Sequence, residues 1–269
     1  MPYDSLGDRM KGYENISRIY LPRRLPVIIR VDGRAFHTFT RGFERPFDQV
    51  LRTCMRVAAK ALCEQISGVK LAYVQSDEIS LLLTNDDTLD TQPWFGNNLQ
   101  KLVSLSASIA TLAFNGEFRQ AIIRQPDKQQ FGSYLIAYNR GAQFDSRAFV
   151  IPPTEVTNYF IWRQQDATRN SIQMVAQSLY SHKELMNKNT DELQEMIFQK
   201  GINWNDYPIP NKRGFCVVKK PCVIGIEADA TGLEAASPVI RKQWVVDTDI
   251  PIFTQDRSYI EKLVIHNDN

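Results

Sequence analysis

Two segments of this chain place acidic side chains at the ends of apolar, strand-like runs. Asp32 closes the run 27–32, and Asp77 and Glu78 join two apolar runs within residues 69–84. A carboxylate at the end of a strand has little freedom to move, and two carboxylates placed in this way can hold a pair of divalent cations. Such a pair suits phosphoryl or nucleotidyl transfer, in which the protein mainly positions oxygens and neutralises charge. The sequence therefore indicates a metal-dependent transfer site.

The elements that must position these carboxylates follow a strand–helix–strand–strand–helix–strand order. The predicted elements are a strand at 27–32, a helix with Pro46 in its first turn and Gly68 at its end, a hairpin of strands at 69–75 and 79–84, a helix at about 98–118 and a strand near 148–151. That order is the plan of ferredoxin-like and polymerase-palm domains. We therefore expect an α/β fold with an antiparallel sheet and packed helices. In such a sheet the first strand lies beside the hairpin, which brings Asp32 and Asp77 together.

The chain changes character after the two prolines at 152 and 153. The pattern predicts a long helix over 154–182, a helix over 190–200 and strand-like pieces at 214–218 and 243–246. We therefore expect a palm-like catalytic domain over residues 1–152 and a helical and mixed C-terminal region over residues 153–269. The second region is expected to pack on the palm as one compact unit.

The composition is that of a globular protein rather than of a membrane or disulfide-rich protein. Apolar residues make up 43% and charged residues 23% of the 269 positions, and the net charge is +2, which does not by itself identify a polyanion binder. The four cysteines show no zinc-type spacing, and no apolar run is long enough to span a bilayer. We expect a cytoplasmic protein without a membrane span.

The two strand-end carboxylates predict a cation between them. Asp32 and Asp77 would repel each other at close range, and one pKa would rise unless a cation lay between them. Two Mg²⁺ ions remove this conflict, and the backbone carbonyl of Gly33 is a candidate further oxygen ligand. A solvated turn is the commoner role for a pair such as Asp77 and Glu78, but the apolar flanks here favour a buried site.

Several polar side chains near these carboxylates could contact a nucleotide. His37 lies shortly after Asp32 in the sequence, and this position favours nucleotide contact over proton transfer. A lone histidine is, however, more often a packing residue. Arg34, Arg45 and Lys101 carry charges that could stabilise a triphosphate, and each is weak evidence alone.

Four short strings carry a resemblance to a known family. They are Arg-Val-Asp-Gly-Arg-Ala-Phe-His (30–37), Gln-Ser-Asp-Glu-Ile-Ser (75–80), Phe-Asp-Ser-Arg (144–147) and Trp-Arg-Gln-Gln-Asp (162–166). In this order and spacing the chain resembles the tRNA-His guanylyltransferase family, including its guanylyltransferase-like branch, from about residue 20 to about residue 218. The first two strings are specific in combination, and either alone would be weak.

The resemblance implies an assignment of roles to residues. It implies that Asp32, Asp77 and Glu78 form the catalytic acidic group, and that Asp32, the Gly33 carbonyl and Asp77 bind two Mg²⁺ ions per active site. The implied nucleotide contacts are Asp32, Gly33, Arg34, Ala35, Phe36, His37, Arg45, Ser76, Asp77 and Lys101.

The resemblance also implies a reaction, in which nucleotides are added to the 5′ end of a tRNA in the 3′–5′ direction. ATP would first adenylylate a 5′-monophosphorylated tRNA, and the 3′-hydroxyl of GTP or another nucleoside triphosphate would then attack that phosphate and expel AMP. Family members commonly assemble as homotetramers, so we expect one here, with tRNA and nucleoside triphosphates as partners.

One departure from the family bears on the choice of tRNA. Histidine-specific members typically read His-Ile-Asn-Asn after the Trp-Arg-Gln segment, whereas this chain has Thr-Arg-Asn-Ser at 168–171. The missing histidine favours the branch that repairs 5′-truncated tRNAs by template-dependent addition. The RNA contacts expected by this reasoning are Arg147, Arg163, Arg169, Asn170, Lys212 and Arg213.

Three other functions stay open at this point. Addition of G₋₁ to tRNA-His would use the same site. A nucleotidyl cyclase shares the palm and its paired carboxylates, but would leave the strings at 144–147 and 162–166 without a role. An RNA-binding module with a degenerate site would bind tRNA without incorporating nucleotides, and the complete acidic set argues against it.

Overall fold

The computed structural model describes residues 6–126, 129–224 and 239–264. Its centre is a six-stranded antiparallel sheet in the order β4-β1-β3-β2-β5-β6. The strands are β1 (Val27–Gly33), β2 (Val69–Gln75), β3 (Glu78–Leu83), β4 (Phe144–Val150), β5 (Phe215–Ile224) and β6 (Val239–Asp247). The first four strands have the spatial order of a ferredoxin-like sheet, so the expected palm-like α/β fold is confirmed.

Helices cover the sheet and extend beyond it. The α-helices of the described residues are α1 (Gly7–Ile16), α2 (Phe36–Phe39), α3 (Gln49–Gln65), α4 (Leu99–Arg124), α5 (Phe131–Arg140), α6 (Val156–Leu179), α7 (His182–Leu185), α8 (Thr190–Gln199), α9 (Ile209–Arg213) and α10 (Ser258–Glu261). Short 3₁₀ helices lie at Trp94–Asn97, Pro153–Glu155 and Trp204–Asp206. None of the helices in the described ranges is long and apolar enough to cross a membrane.

The central strands β1, β2 and β3 are buried on both faces. Side chains alternate along β1, so Ile29 and Val31 pack in one core with residues of α3 and α4, while Ile28 packs in a second core with residues of α6 such as Phe160. A strand buried on both faces reads as a continuous apolar run, which is why β1 and β3 are recognisable in the sequence.

The start of α3 corrects one expectation. Pro46 precedes the helix instead of occupying its first turn, and Asp48 is the N-cap because its carboxylate accepts the Leu51 N–H at 2.9 Å. The helix then ends at Gln65, and Gly68 turns the chain into β2 with a φ of +83°.

The C-terminal region joins the palm through its strands. β5 pairs with β2 at the edge of the ferredoxin-like sheet, and β6 pairs with β5. Both strands are longer than the pieces expected at 214–218 and 243–246. α6 covers one face of the sheet, while α1 and α5 are elements that the sequence pattern did not predict. The division of the chain at residue 152 stays a prediction.

Candidate active site

The ends of β1 and of the β2–β3 hairpin bring Asp32 and Asp77 to one edge of the sheet. β1 pairs with β3 up to Asp32 opposite Glu78, and the Gly33 N–H donates to the Asp77 carbonyl oxygen at 3.1 Å. The hairpin turns through Ser76, whose φ is +48°. Asp32 and Asp77 line one cavity, as the position of the two carboxylates at strand ends predicts.

Burial, and then charge repulsion, raises the pKa of both carboxylates. Burial, and then the charge of Asp32, raises the pKa of Asp77 to about 6. Burial and the neighbouring Asp145 also raise the pKa of Asp32, although the positive charges of Arg30 and Arg147 oppose that rise. These two side chains thus form an acidic pair that is incompletely neutralised, an environment that a divalent cation would relieve.

Glu78 lies beside this pair but is held differently. Its side chain is buried, and the Arg163 guanidinium donates two hydrogen bonds to its two oxygens, each at 2.8 Å. The Ser80 hydroxyl donates a further bond at 3.2 Å. Because its charge is already paired, Glu78 fits a supporting role for the acidic site better than metal binding. Its catalytic role stays a prediction.

The residues of the acidic pair fit Mg²⁺ that is shared with a nucleotide. In the described part of the chain there is no group of three or more His, Cys, Asp or Glu side chains that could hold a metal by itself. Mg²⁺ usually takes one or two carboxylates from the protein and keeps water or phosphate oxygens as its other ligands. Asp32 and Asp77, which line the cavity together with Gly33, are such a partial set.

The cavity beside the carboxylates has a volume of about 560 Å³, which is in the usual range for a small-molecule site. Eight of the residues expected to contact a nucleotide line it: Asp32, Gly33, Ala35, Phe36, His37, Arg45, Ser76 and Asp77. The sharp turn into α2 is made by Ala35, which has a φ of +54°. Gly33 must lack a side chain, because a Cβ atom there would lie 2.3 Å from the Phe36 ring.

Two residues expected at the nucleotide lie outside this cavity. Arg34 donates to the Gln143 side-chain oxygen at 2.8 Å and lines a different surface groove. Lys101 lies in the first turn of α4, where its ammonium is 5.0 Å from the centre of the Phe95 ring. Within a single chain the structure therefore does not bring Arg34 or Lys101 to this cavity.

One wall of the cavity was missed by the sequence analysis. Asp48 is buried there and accepts three hydrogen bonds, from the N–H groups of Glu44 and Leu51 and from the Tyr134 hydroxyl at 2.7 Å. These bonds fix the loop that carries Arg45 against α3 and α5. An aspartate just before an apolar helical pattern is an N-cap signal, and that signal could have identified Asp48. Nothing local in the sequence identifies Tyr134 as its partner.

Three of the residues expected to contact RNA meet in one groove. Arg169, Lys212 and Arg213 line a cavity of about 490 Å³ between α6, α9 and the segment 252–254, and the Trp204 ring lies beside the Lys212 ammonium at 5.8 Å. Basic groups with an adjacent aromatic ring are the elements of a nucleic-acid surface.

The other expected RNA contacts are placed elsewhere. Arg147 lies near the acidic pair, with its guanidinium 3.9 Å from the Asp32 carboxylate. Asn170 lines a small recess next to the cavity beside the carboxylates. Arg163 corrects an expectation, since only 6% of it is exposed and its guanidinium is bonded to Glu78 and Asp166. It therefore does not present its charge to a nucleic acid.

Comparison with known proteins agrees with this geometry. The tRNAHis guanylyltransferase (Thg1) family model matches residues 7–152, more than half of the chain and the whole of the strand-end site. This chain belongs to that family. It is accordingly a nucleotidyltransferase with a palm-like fold. The tRNA(His) guanylyltransferase of Debaryomyces hansenii is 31% identical over 208 residues, which cover 72% of this chain and 73% of that protein.

Solved structures of the family are similar over most of the chain. A bacterial Thg1-like protein in complex with ATP is 47% identical with a TM-score of 0.80, and the match covers 97% of this chain and 100% of that one. A bacterial Thg1-like protein in complex with GTP is 45% identical with a TM-score of 0.76 and covers 98% and 100%. The tRNA(His) guanylyltransferase of Saccharomyces cerevisiae is 25% identical with a TM-score of 0.63, over 81% of this chain and 97% of that one.

Proposed function

We propose that this protein adds nucleotides to the 5′ end of tRNA in the 3′–5′ direction, directed by the opposite strand as template, and so repairs truncated 5′ ends. The observation that carries the proposal is the pair Asp32 and Asp77 at one edge of a cavity large enough for a nucleotide. Similar bacterial proteins have been solved with ATP and with GTP, which are the two kinds of triphosphate that the two steps require.

In the proposed reaction, the tRNA 5′-phosphate attacks the α-phosphate of ATP and pyrophosphate leaves. The 3′-hydroxyl of the incoming nucleotide then attacks the tRNA phosphate of this adenylylated end, AMP leaves, and one phosphodiester bond is formed. Asp32 and Asp77, with the Gly33 carbonyl, would hold Mg²⁺. When bound, Mg²⁺ lowers the pKa of an attacking hydroxyl and neutralises charge on the phosphates. Arg45 lines the cavity, and its positive charge would stabilise the triphosphate.

The groove formed by Arg169, Lys212, Arg213 and Trp204 supports tRNA as the substrate. Basic side chains there would contact backbone phosphates, which position a nucleic acid without reading its sequence. That property suits an enzyme that accepts many tRNAs.

Repair is favoured over G₋₁ addition by two observations. The segment 168–171 lacks the histidine typical of histidine-specific members. The chain is also 47% identical to a bacterial Thg1-like structure, against 25% for the yeast tRNA(His) guanylyltransferase structure. G₋₁ addition is the second candidate, because the family membership supports it.

Assembly as a homotetramer and a cytoplasmic location are further parts of the proposal. Helix α1 buries none of its residues, and apolar side chains at Met10, Tyr13 and Ile16 are exposed on it. Exposed apolar side chains on one helix support contact with another copy of the chain. Light scattering after size-exclusion chromatography would measure the mass, and a monomer at micromolar concentration would contradict the tetramer.

The function is tested by following labelled nucleotides into 5′-monophosphorylated tRNAs, both full-length and lacking the first nucleotide, with ATP and Mg²⁺. The parent is expected to extend the truncated tRNA, Asp77→Ala to lose at least about 100-fold in rate, and the exposed-site control Asp249→Ala to match the parent. Addition of G to intact tRNA-His alone would instead establish the second candidate. A folded parent that extends no tRNA would contradict both.

A further inference from the structure

Strand β4 and helix α6 leave part of the sheet open next to the acidic pair. β1 pairs with β4 so that Arg30 lies opposite Arg147 and Asp32 lies opposite Asp145. Alternate residues of a strand share one face, so these four side chains lie on the face where Ile28 packs with residues of α6. We call the surface formed by Arg30, Asp32, Asp145 and Arg147 the shelf. Asp32 also lines the cavity beside the carboxylates, so the shelf and that cavity meet at Asp32.

The two arginines of the shelf retain the capacity to bind an anion. About half of the Arg147 side chain is exposed, and its guanidinium lies 3.1 Å from Asp145 and 3.9 Å from Asp32. The Nε atom of Arg30 lies 4.0 Å from the Glu78 carboxylate, and within the described residues this buried atom has no hydrogen-bond partner. Both guanidinium groups could therefore contact a phosphate that reaches Asp32.

An exposed indole ring stands at the border of the shelf. Trp162 lies on α6, and 48% of it is exposed. Its ring centre is 5.9 Å from that of Tyr159, and the Tyr159 ring is in turn 5.9 Å from the Phe149 ring of β4. Phe149 lies two residues after Arg147, on the same face of β4. The side of α6 that carries Trp162 therefore faces β4 and the shelf.

A buried ion pair fixes the position of this ring. The Arg163 guanidinium lies 4.4 Å from the centre of the indole and donates two hydrogen bonds to Glu78, each at 2.8 Å. Glu78 in turn lies opposite Asp32 in the sheet. One side of the indole is thus packed against a cation that is held next to the acidic pair, and the rest of the ring is in solvent. Aromatic side chains of this kind are the platforms on which nucleic-acid bases stack.

The proposed reaction needs room for an RNA end as well as for a triphosphate. The cavity of about 560 Å³ suits one nucleotide, and the shelf is open surface that also reaches Asp32. We propose that the base of the 5′-terminal nucleotide of the tRNA stacks on Trp162, and that its 5′-phosphate contacts Arg30 and Arg147. The inference rests on the proposed function only in requiring that a tRNA 5′ end reaches the acidic pair.

This stacking would accept any base at the 5′ end. Every base has a π face, so an indole holds a terminal base without reading its identity. Loss of one base–aromatic stack in Trp162→Leu is expected to lower kcat/KM for truncated tRNA by about 5- to 150-fold. The affinity for ATP is expected to stay at the parent value, because Trp162 does not line the cavity. Trp162→Tyr keeps an aromatic face and is expected to retain most of the activity.

The test uses truncated tRNA that carries the fluorescent base 2-aminopurine at its 5′-terminal nucleotide, bound in Mg²⁺ buffer without ATP. Stacking of an indole on this base quenches its fluorescence. The parent is expected to quench it on binding, and Trp162→Leu is expected to lose the quenching. The matched control Tyr138→Leu removes an exposed aromatic side chain of α5 and is expected to behave as the parent. The same base in the middle of the acceptor stem is expected to keep its fluorescence with every protein.

Three results would overturn the stacking and leave the proposed function intact. The first is unchanged fluorescence of tRNA that the parent binds and extends, a result that does not depend on whether a variant folds. The second is equal quenching by the parent and Trp162→Leu, which would assign the contact to another residue. The third is a fall in the mass of Trp162→Leu by light scattering together with the loss of quenching, which would place the indole against a second copy of the chain. A folded parent that binds no tRNA would instead overturn the proposed function, and the inference with it.

Discussion

Replacing Asp77 by Asn is expected to stabilise the metal-free protein at neutral pH. Burial and the charge of Asp32 raise the pKa of Asp77 from 3.8 to about 6, so the ionised carboxylate is held where the folded protein disfavours it. Asn has the same shape and can accept the hydrogen bond from Ser76, but it carries no charge. The substitution thus removes the repulsion and keeps the turn.

The size of the gain follows from the pKa. Each unit of pKa corresponds to about 1.4 kcal/mol, so the rise to about 6 sets an upper limit of about 3 kcal/mol. Asp77 is partly exposed, and solvent screening reduces the expected gain to about 1–2 kcal/mol. For a chain of this length that corresponds to an increase in Tm of about 2–6 °C.

Proton binding to Asp77 determines whether its contribution to folding stability rises or falls with pH. Between about pH 4 and pH 6 the folded protein holds a proton on Asp77 that the unfolded chain has released, so this group lowers stability as pH rises through that window. The gain in stability of Asp77→Asn over the parent is therefore expected to be complete at pH 8 and to vanish near pH 4. Added Mg²⁺ is expected to raise the Tm of the parent and not that of the variant, because a ligand stabilises only the state that binds it.

Thermal unfolding with EDTA at pH 4, 6 and 8, and with Mg²⁺ at pH 8, measures these effects. Asp249→Asn is the control, because Asp249 is exposed and lies away from the cavity. If Asp77→Asn is no more stable than the parent at pH 8 without metal, the folded protein does not disfavour the ionised form of the Asp77 carboxylate. Asp32 and Asp77 would then not form an incompletely neutralised pair.

Three further changes test other parts of the structure. Arg163→Met removes both hydrogen bonds to the buried Glu78 carboxylate and leaves Arg30, at 4.0 Å, to pair with it, so it is expected to lower the free energy of unfolding by about 3 kcal/mol in urea titrations, with the double variant Arg163→Met/Glu78→Met regaining most of it. Gly33→Ala places a Cβ atom 2.3 Å from the Phe36 ring and is expected to cost about 1–3 kcal/mol of stability and to weaken ATP binding, both measurable on the purified protein. Lys212→Ala is expected to weaken tRNA binding and lower its salt dependence by about one phosphate contact, with ATP affinity unchanged in a parallel titration.

The sheet and the acidic pair could be predicted because both depend on local pattern. Strands β1, β2 and β3 are buried runs. Asp32 lies in β1, next to its final residue, and Asp77 lies in the turn between β2 and β3. Helices α1 and α5 escaped prediction for a physical reason. α1 buries no residue, so it lacks the apolar stripe that marks a packed helix. α5 is short, and it exposes Leu135, Ile136 and Tyr138 while burying Tyr134 and Ala137, so its apolar residues do not mark one buried face.

The rest of the site depends on contacts between distant parts of the chain. Glu78 meets Arg163 across 85 positions, and Tyr134 meets Asp48 across 86. From the sequence alone, a charged residue such as Arg163 is expected to be exposed and available to RNA. Its burial can be understood only once its partner Glu78 is known. A resemblance aligns Lys101 with nucleotide-binding positions, but it does not show the direction of the side chain, which lies over the Phe95 ring.

The most direct test of templated 3′–5′ addition is to change the template base. Truncated tRNAs that lack the first nucleotide would be prepared with each of the four bases opposite the gap, and the identity of the nucleotide added by the parent protein would be determined with all four triphosphates present. Templated addition predicts that the added nucleotide is the Watson–Crick complement of the opposing base in every case. Addition of G whatever the opposing base, or no addition by a folded and nucleotide-binding protein, would contradict it.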